Sequence, residues 1–237
     1  VSKFLQYLES PVISIEARLQ DAFDGLQIGS SFRGHICGFL NPLAIKDRAT
    51  YEHCIRVGLL ARSIGDFIHM DEKALFYAGV LHDVGKAQTD LRTLQKTEGW
   101  TDADAKEIKR HVMDGYRLIR QVFDFSAEII LWHHRFQWAG YPKKLPHPLH
   151  KYSLGTKAMI ALYGRILAIA DCYDALHRVN DKFGTVQALT GEDIKEKMFQ
   201  FNPDQRVLLN ELYEANILTT AIVCEVELKP ERELAPA

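Results

Sequence analysis

The chain has 237 residues, of which 47% are apolar and 25% charged. That balance belongs to an ordinary globular protein and excludes disordered, collagen-like and disulfide-scaffold classes. Lys plus Arg number 29 against 31 Asp plus Glu, so a net charge of −2 supplies no overall basic field for a nucleic-acid backbone. No long nucleic acid is expected as a partner, and any anionic ligand must be met locally.

Four scattered cysteines, Cys37, Cys54, Cys172 and Cys224, suit neither a zinc ribbon nor a disulfide framework and point to a reducing compartment. No apolar run approaches the roughly 18 to 20 residues that span a bilayer, so no membrane segment and a cytoplasmic location are expected. The chain opens at Val1 rather than Met, which suggests a processed form or a piece of a longer protein.

In chain order, Phe4 to Leu8 and Ile13 to Leu26 read as short helices, and Gly29 to Gly38 as turn chemistry. Residues 1–42 are accordingly expected as an extension packed on a main bundle. Ile55, Leu59, Leu60, Ile64, Phe67 and Ile68 recur at helical spacing. Asp71 offers a cap for a second helix through Leu81, ended with the help of Gly85. A third helix is expected from Thr101 or Asp102 to Val122 and a fourth from Ser126 to about His134, both well capped. Residues 136–153, with Gly140, Pro142, Pro146 and Pro148, have no period and read as a loop. A long helix follows from Thr156 to Arg178, then helical patterns over Gly191–Phe199 and Pro203–Asn216. Thr220 to Leu228 alone shows strand-like alternation. The expected fold class is all-α, with a catalytic domain over residues 43–220 and a tail over 221–237.

Register makes the histidines informative. On a helix advancing about 100° per residue, His53 shares a face with Val57, Leu60 and Ile64. His82 follows Leu75 and Ala78, His111 follows Ile108, and His133 and His134 follow Ile129 and Ile130, so each falls on an apolar stripe. Asp171 does the same behind Leu167 and Ala168. A single inward histidine is more often a core residue bonded to a carbonyl than a ligand. Five of them with Asp83 and Asp171 are different, because burial without a shared partner costs about 1–3 kcal/mol for each group. Bound cations satisfy the set together. His35, His69, His147, His150 and His177 lie in turns, at helix ends or in the loop and carry no such argument.

Nitrogen and carboxylate ligands without thiolate suit iron or manganese better than structural zinc. Cys54 and Cys172 point about 100° away from the neighbouring ligand positions and read as small core residues. Seven side chains exceed the needs of one ion, whereas two divalent ions roughly 3.5–4 Å apart, bridged by Asp83, would use them all.

The string Leu81-His82-Asp83-Val84-Gly85-Lys86, with His53 before it and His111, His133-His134, Gly140-Tyr141-Pro142 and Ala170-Asp171-Cys172-Tyr173-Asp174-Ala175-Leu176 after it, resembles the HD-GYP branch of the HD-domain metal phosphohydrolases. The resemblance covers about residues 50–180. It implies a helical bundle with a buried metal centre and hydrolysis of a cyclic dinucleotide, cyclic di-GMP first, through attack by a metal-bridging hydroxide. By position, His53, His82, Asp83 and Asp171 would hold one ion, and Asp83, His111, His133 and His134 the other, with His134 also able to stand behind the ligands. Lys86 matches a phosphate-binding lysine. Asp174 is expected to accept from a ligand or to pair with Arg178. Arg178 and Lys182 are candidates for substrate phosphates, Trp138 for a base face, and Tyr141 for the pocket wall or a signalling protein at the Gly-Tyr-Pro loop. Lys143 and Lys144 read as solvated loop.

Three departures from the family pattern stand out. The acids that usually follow the histidine pair are missing from Arg135-Phe136-Gln137-Trp138-Ala139, and the loop is one residue shorter. Ala49 stands where members with a third ion tend to place Glu, which favours two ions and a linear dinucleotide product. Asn180 and Lys182 replace a common arginine. The rival readings are an HD-type phosphohydrolase acting on other nucleotides, a catalytically weak cyclic-dinucleotide receptor, and a structural module lacking the ligands.

Overall fold

A computed structural model describes residues 13–177 and 189–219. Among them the secondary structure is helical and no strand occurs. The alternating stretch over 220–228, the short helix at Phe4–Leu8, and Arg178 and Lys182 lie outside the described residues.

The apolar stripes form the expected helices. α1 (Ile15–Gly25) is capped by Ser14, and α3 (Arg48–Phe67) by Asp47, whose carboxylate receives the Thr50 N–H. Asp71 caps α4 (Glu72–Leu81). A capping box between Thr101 and Asp104 opens α6 (Asp102–Lys109), and Ser153 caps the long α9 (Leu154–Leu176). Each cap satisfies N–H groups that a first helical turn leaves open. α5 (Leu91–Leu94) is a single turn, while α10 (Gly191–Phe201) and α11 (Arg206–Glu214) close the described chain.

Several expectations are corrected. Gly29 to Gly38 is not turn: α2 runs over Ser30–Lys46, through the expected boundary at residue 42. Its Ile36, Leu40 and Leu43 are buried at helical spacing, while Gly34 and Gly38 face open space, so packing outweighs the glycines' low propensity. The third helix breaks at Arg110 into α6 and α7 (His111–Ile119). α8 (Asp124–Ile130) starts earlier and stops sooner than expected, without a side-chain cap, leaving His133 and His134 in the turns beyond it. α4 ends at Leu81, before Gly85, and the chain tightens into a 3-10 turn over Val84–Gln88.

α3 and α4 form the most intimate helix pair. A Cβ on Gly79 would lie 2.5 Å from the Gly58 Cα, so the two backbones touch at their crossing. α9 packs on α3, α4 and α8 and carries Ile166, Leu167, Ile169 and Ala170 into the core. No described helix is long and apolar enough to cross a membrane.

Candidate metal centre

The core is interrupted by polar groups from five places in the chain. α3 delivers His53; His82 caps the end of α4 and Asp83 follows it. His111 opens α7, His133 and His134 follow α8, and Asp171 with Asp174 ride on α9. His53, His82, Asp83, His111 and His133 are each 2% exposed or less. The meeting depends on Gly85, since a Cβ there would stand 2.0 Å from the His111 carbonyl oxygen. Only a glycine lets α7 approach the turn behind Asp83 so closely.

Asp83 joins two groups of imidazoles. Its Oδ2 lies 3.4 Å from both His53 Nε2 and His82 Nε2, and its Oδ1 lies 3.1 Å from His111 Nε2. Asp171 Oδ1 is 3.2 Å from His53 Nε2 and 3.7 Å from His82 Nε2. On the far side His111 Nε2 and His133 Nε2 are 3.4 Å apart, and His134 Nδ1 is 4.0 Å from Asp171 Oδ2. Three overlapping trios place one ligand atom per residue within 4.8 Å: His53, His82 and Asp83; His82, His133 and Asp171; and His111, His133 and His134. The seven ligand candidates thus lie together. Cys54 and Cys172 belong to no such trio and pack with the core instead.

The outer nitrogens are already engaged. His82, His111 and His133 each direct Nδ1 to the carbonyl three residues earlier, on Gly79, Ile108 and Ile130. His53 Nδ1 lies 2.7 Å from Asp174 Oδ2, and Asp174 also accepts from Arg56 Nε at 2.6 Å and Nη2 at 3.1 Å. Such partners fix the tautomer that leaves Nε2 free. Arg56 escaped the sequence reading, although its place three residues after His53 put it near that face. Lys86 donates to Asp83 Oδ2.

Electrostatics favour cations here. Burial pulls His111 down to about 3, and burial with the His82 charge pulls His133 to about 4. Burial, then the neighbouring His133, lowers His134 as well. His82 goes the other way: burial opposes its charge, but Asp83 and Asp171 push it up to about 10. Burial would raise Asp83, yet Lys86, His82 and His111 hold it well below the carboxylate range. Hydrogen bonds from His53 and His82 likewise outweigh burial at Asp171.

These features fit divalent metal. Neutral His111 and His133 aim lone pairs at each other across 3.4 Å, and the buried Asp83 Oδ1 accepts no hydrogen bond. Leaving them so is costly, and a cation between them relieves the cost.

The remaining candidates sit at different depths. Tyr141 stacks on His134 with ring centroids 4.6 Å apart and meets the His111 edge at 6.1 Å. Burial raises its hydroxyl pKa strongly. Trp138 is fully exposed at the loop. His150 lies outside the cluster, 2.9 Å from Asp124, and His177 Nδ1 meets the Tyr173 carbonyl.

The HD domain profile matches residues 50–176, which span His53 to Asp174. The chain is 28% identical over 184 residues to a cyclic di-GMP phosphodiesterase of Thermotoga maritima, covering 74% of this chain and 46% of that protein. It is 30% identical over 154 residues to 3'3'-cGAMP-specific phosphodiesterase 1 of Vibrio cholerae, covering 62% and 33%. The chain therefore spans less than half the length of these relatives. The crystal structure of the L. monocytogenes phosphodiesterase PgpH HD domain in complex with cyclic-di-AMP superposes with a TM-score of 0.53 at 16% identity, over 76% of this chain and 93% of that one. With the profile spanning more than half of the chain and the same helical fold around its histidines and aspartates, this protein belongs to the HD domain family.

Proposed function

We propose that the chain is a metal-dependent phosphodiesterase that hydrolyses a cyclic dinucleotide, cyclic di-GMP first, to the linear dinucleotide. The observation that carries the reading is the Asp83 carboxylate, whose two oxygens face separate imidazole groups at 3.1–3.4 Å. The relatives from T. maritima and V. cholerae, described as phosphodiesterases of cyclic di-GMP and 3'3'-cGAMP, support the substrate class.

His53, His82, Asp83 and Asp171 would hold one ion; Asp83, His111, His133 and His134 would hold the other. The donor set favours iron or manganese. When bound, such ions lower the pKa of water toward neutrality and stabilise charge on phosphoryl oxygens. The chain contributes positioning and charge. Asp174 keeps the His53 proton on Nδ1, and Gly79, Ile108 and Ile130 do the same for His82, His111 and His133. Lys86, tied to Asp83 at the edge of the centre, neutralises a non-bridging phosphate oxygen. Tyr141 forms a wall of the pocket through its stack on His134, which leaves the exposed Trp138 as the loop residue open to a signalling partner. With Ala49 four residues before His53, no acid of α3 is offered there to a third ion, which favours the linear product.

The test combines metal analysis of protein purified without added metal with chromatography of products from cyclic di-GMP, 3'3'-cGAMP, cyclic di-AMP and a nucleoside triphosphate under Mn²⁺ or Fe²⁺. A linear dinucleotide from cyclic di-GMP, with two ions per chain, is expected. Asp83→Ala should abolish ion binding and turnover together, and full activity in that variant would remove the proposal. Tight cyclic di-GMP binding without product would identify a receptor, and cleavage of the triphosphate alone a different HD phosphohydrolase.

A further inference from the structure

His134 differs from its neighbours in how its outer nitrogen is held. His82, His111 and His133 each reach back three residues to a main-chain carbonyl. His134 instead meets a side chain three residues ahead, with the Gln137 carboxamide 2.8 Å from Nδ1. The short loop that departs from the family pattern builds this contact. Gly140 N–H donates to the Gln137 carbonyl at 2.9 Å, and Tyr141 N–H donates to the His134 carbonyl at 3.3 Å. This folded turn brings Tyr141 over the His134 ring, so the imidazole is gripped by a stacked face and by one hydrogen-bonded edge.

We infer that Gln137 is the positioning residue for His134: its carboxamide oxygen accepts the Nδ1–H and leaves Nε2 free to ligate. The two ends of a carboxamide exchange by a half-turn, so the contact at Nδ1 can be made by the oxygen. That orientation repeats the arrangement of the other three imidazoles, each of which gives its Nδ1 proton to an oxygen. The opposite orientation would place the proton on Nε2 and take His134 out of the ligand set. The inference rests on the two-ion reading of the centre, since it concerns the ion that His111, His133 and His134 would share.

The test is titration of the full chain with Mn²⁺ alone, in competition with a chromophoric chelator, and it needs no turnover. Gln137 is exposed, so its variants should keep the fold, which circular dichroism verifies. Gln137→Leu should weaken the second equivalent of Mn²⁺ by about 10–100-fold while leaving the first unchanged. Gln137→Glu, which retains an acceptor and loses the donor, should bind the second equivalent at least as tightly as wild type. Wild-type affinity in Gln137→Leu would overturn the inference. So would loss of the second equivalent in Gln137→Glu, because the donor would then be the required end. Failure of the unaltered protein to take a second equivalent would overturn the two-ion reading itself, and the inference with it.

Discussion

Asp174 stands between His53 and Arg56, accepting from both and burying its charge in doing so. Burial would raise its pKa, yet the hydrogen bonds from His53 and Arg56 hold it far below the usual carboxylate range. Asp174→Asn should therefore loosen the His53 tautomer and weaken the first Mn²⁺ by about 10–100-fold, measured by chelator competition. Unchanged affinity would show that His53 needs no such acceptor. At this scale the inward histidines were legible, because helical register alone puts His53, His82 and His111 on apolar stripes. Arg56 was hidden by its residue type, since a long basic side chain on a helix normally reaches for solvent. Its partner is 118 positions away in the chain, a contact that periodicity does not encode. Gln137 lay in a loop without period, where no pattern marks one residue above another.

Among the elements, the crossing of α3 and α4 sets the distance between His53 and His82, whose ring centroids are 5.0 Å apart. Gly79→Ala adds a methyl that collides with the Gly58 backbone, which cannot yield as a side chain would. Overpacking of this kind should cost about 1–3 kcal/mol despite the gain in helix propensity, read as a lower denaturant midpoint at unchanged slope. A midpoint at or above wild type would mean that the helices slide apart freely. Long amphipathic runs with caps, such as those behind Asp71 and Ser153, were plain in the sequence. α2 was obscured because Gly34, Gly38 and Pro42 are poor helix formers, while the burial that outweighs them is tertiary. The break at Arg110 was equally hidden, since the apolar spacing continues across it; what turns the chain there is the docking of α7 against Gly85.

For the whole molecule, ions bound to the folded chain alone should stabilise it by mass action. Mn²⁺ at 100 times its dissociation constant should add about 2.7 kcal/mol, or about 5–10 °C in Tm, reversed by a chelator. An unmoved Tm would argue against a cation site. A second lever lies away from the centre, where Arg165 of α9 donates to Asp204 and Asn202 and so ties α9 to the segment before α11. The hydrogen bond from Arg165 lowers Asp204 to about 2 from an ordinary 3.8. A depressed acid stabilises the fold above its unfolded pKa and loses that contribution as pH falls. Asp204→Asn should thus flatten the stability loss between about pH 4 and 2, with a cost at neutral pH below about 1 kcal/mol because the carboxylate is half exposed. An unaltered acid slope would assign it to other carboxylates. The all-α class was legible from the dominance of one period, whereas the way residues 13–46 join the bundle was not, because that depends on long-range packing.

One bond in that early region reaches the chemistry. Lys46, at the end of α2, donates to the carbonyls of Ala87 and Thr89, at the close of the 3-10 turn that follows Asp83 and contains Lys86. A fragment cut at residue 50, where the family match begins, would retain every candidate ligand and yet lose this tether. The smallest piece that keeps the Asp83 turn in place is therefore longer than the piece that homology outlines, and expression boundaries should be drawn upstream of Ser30.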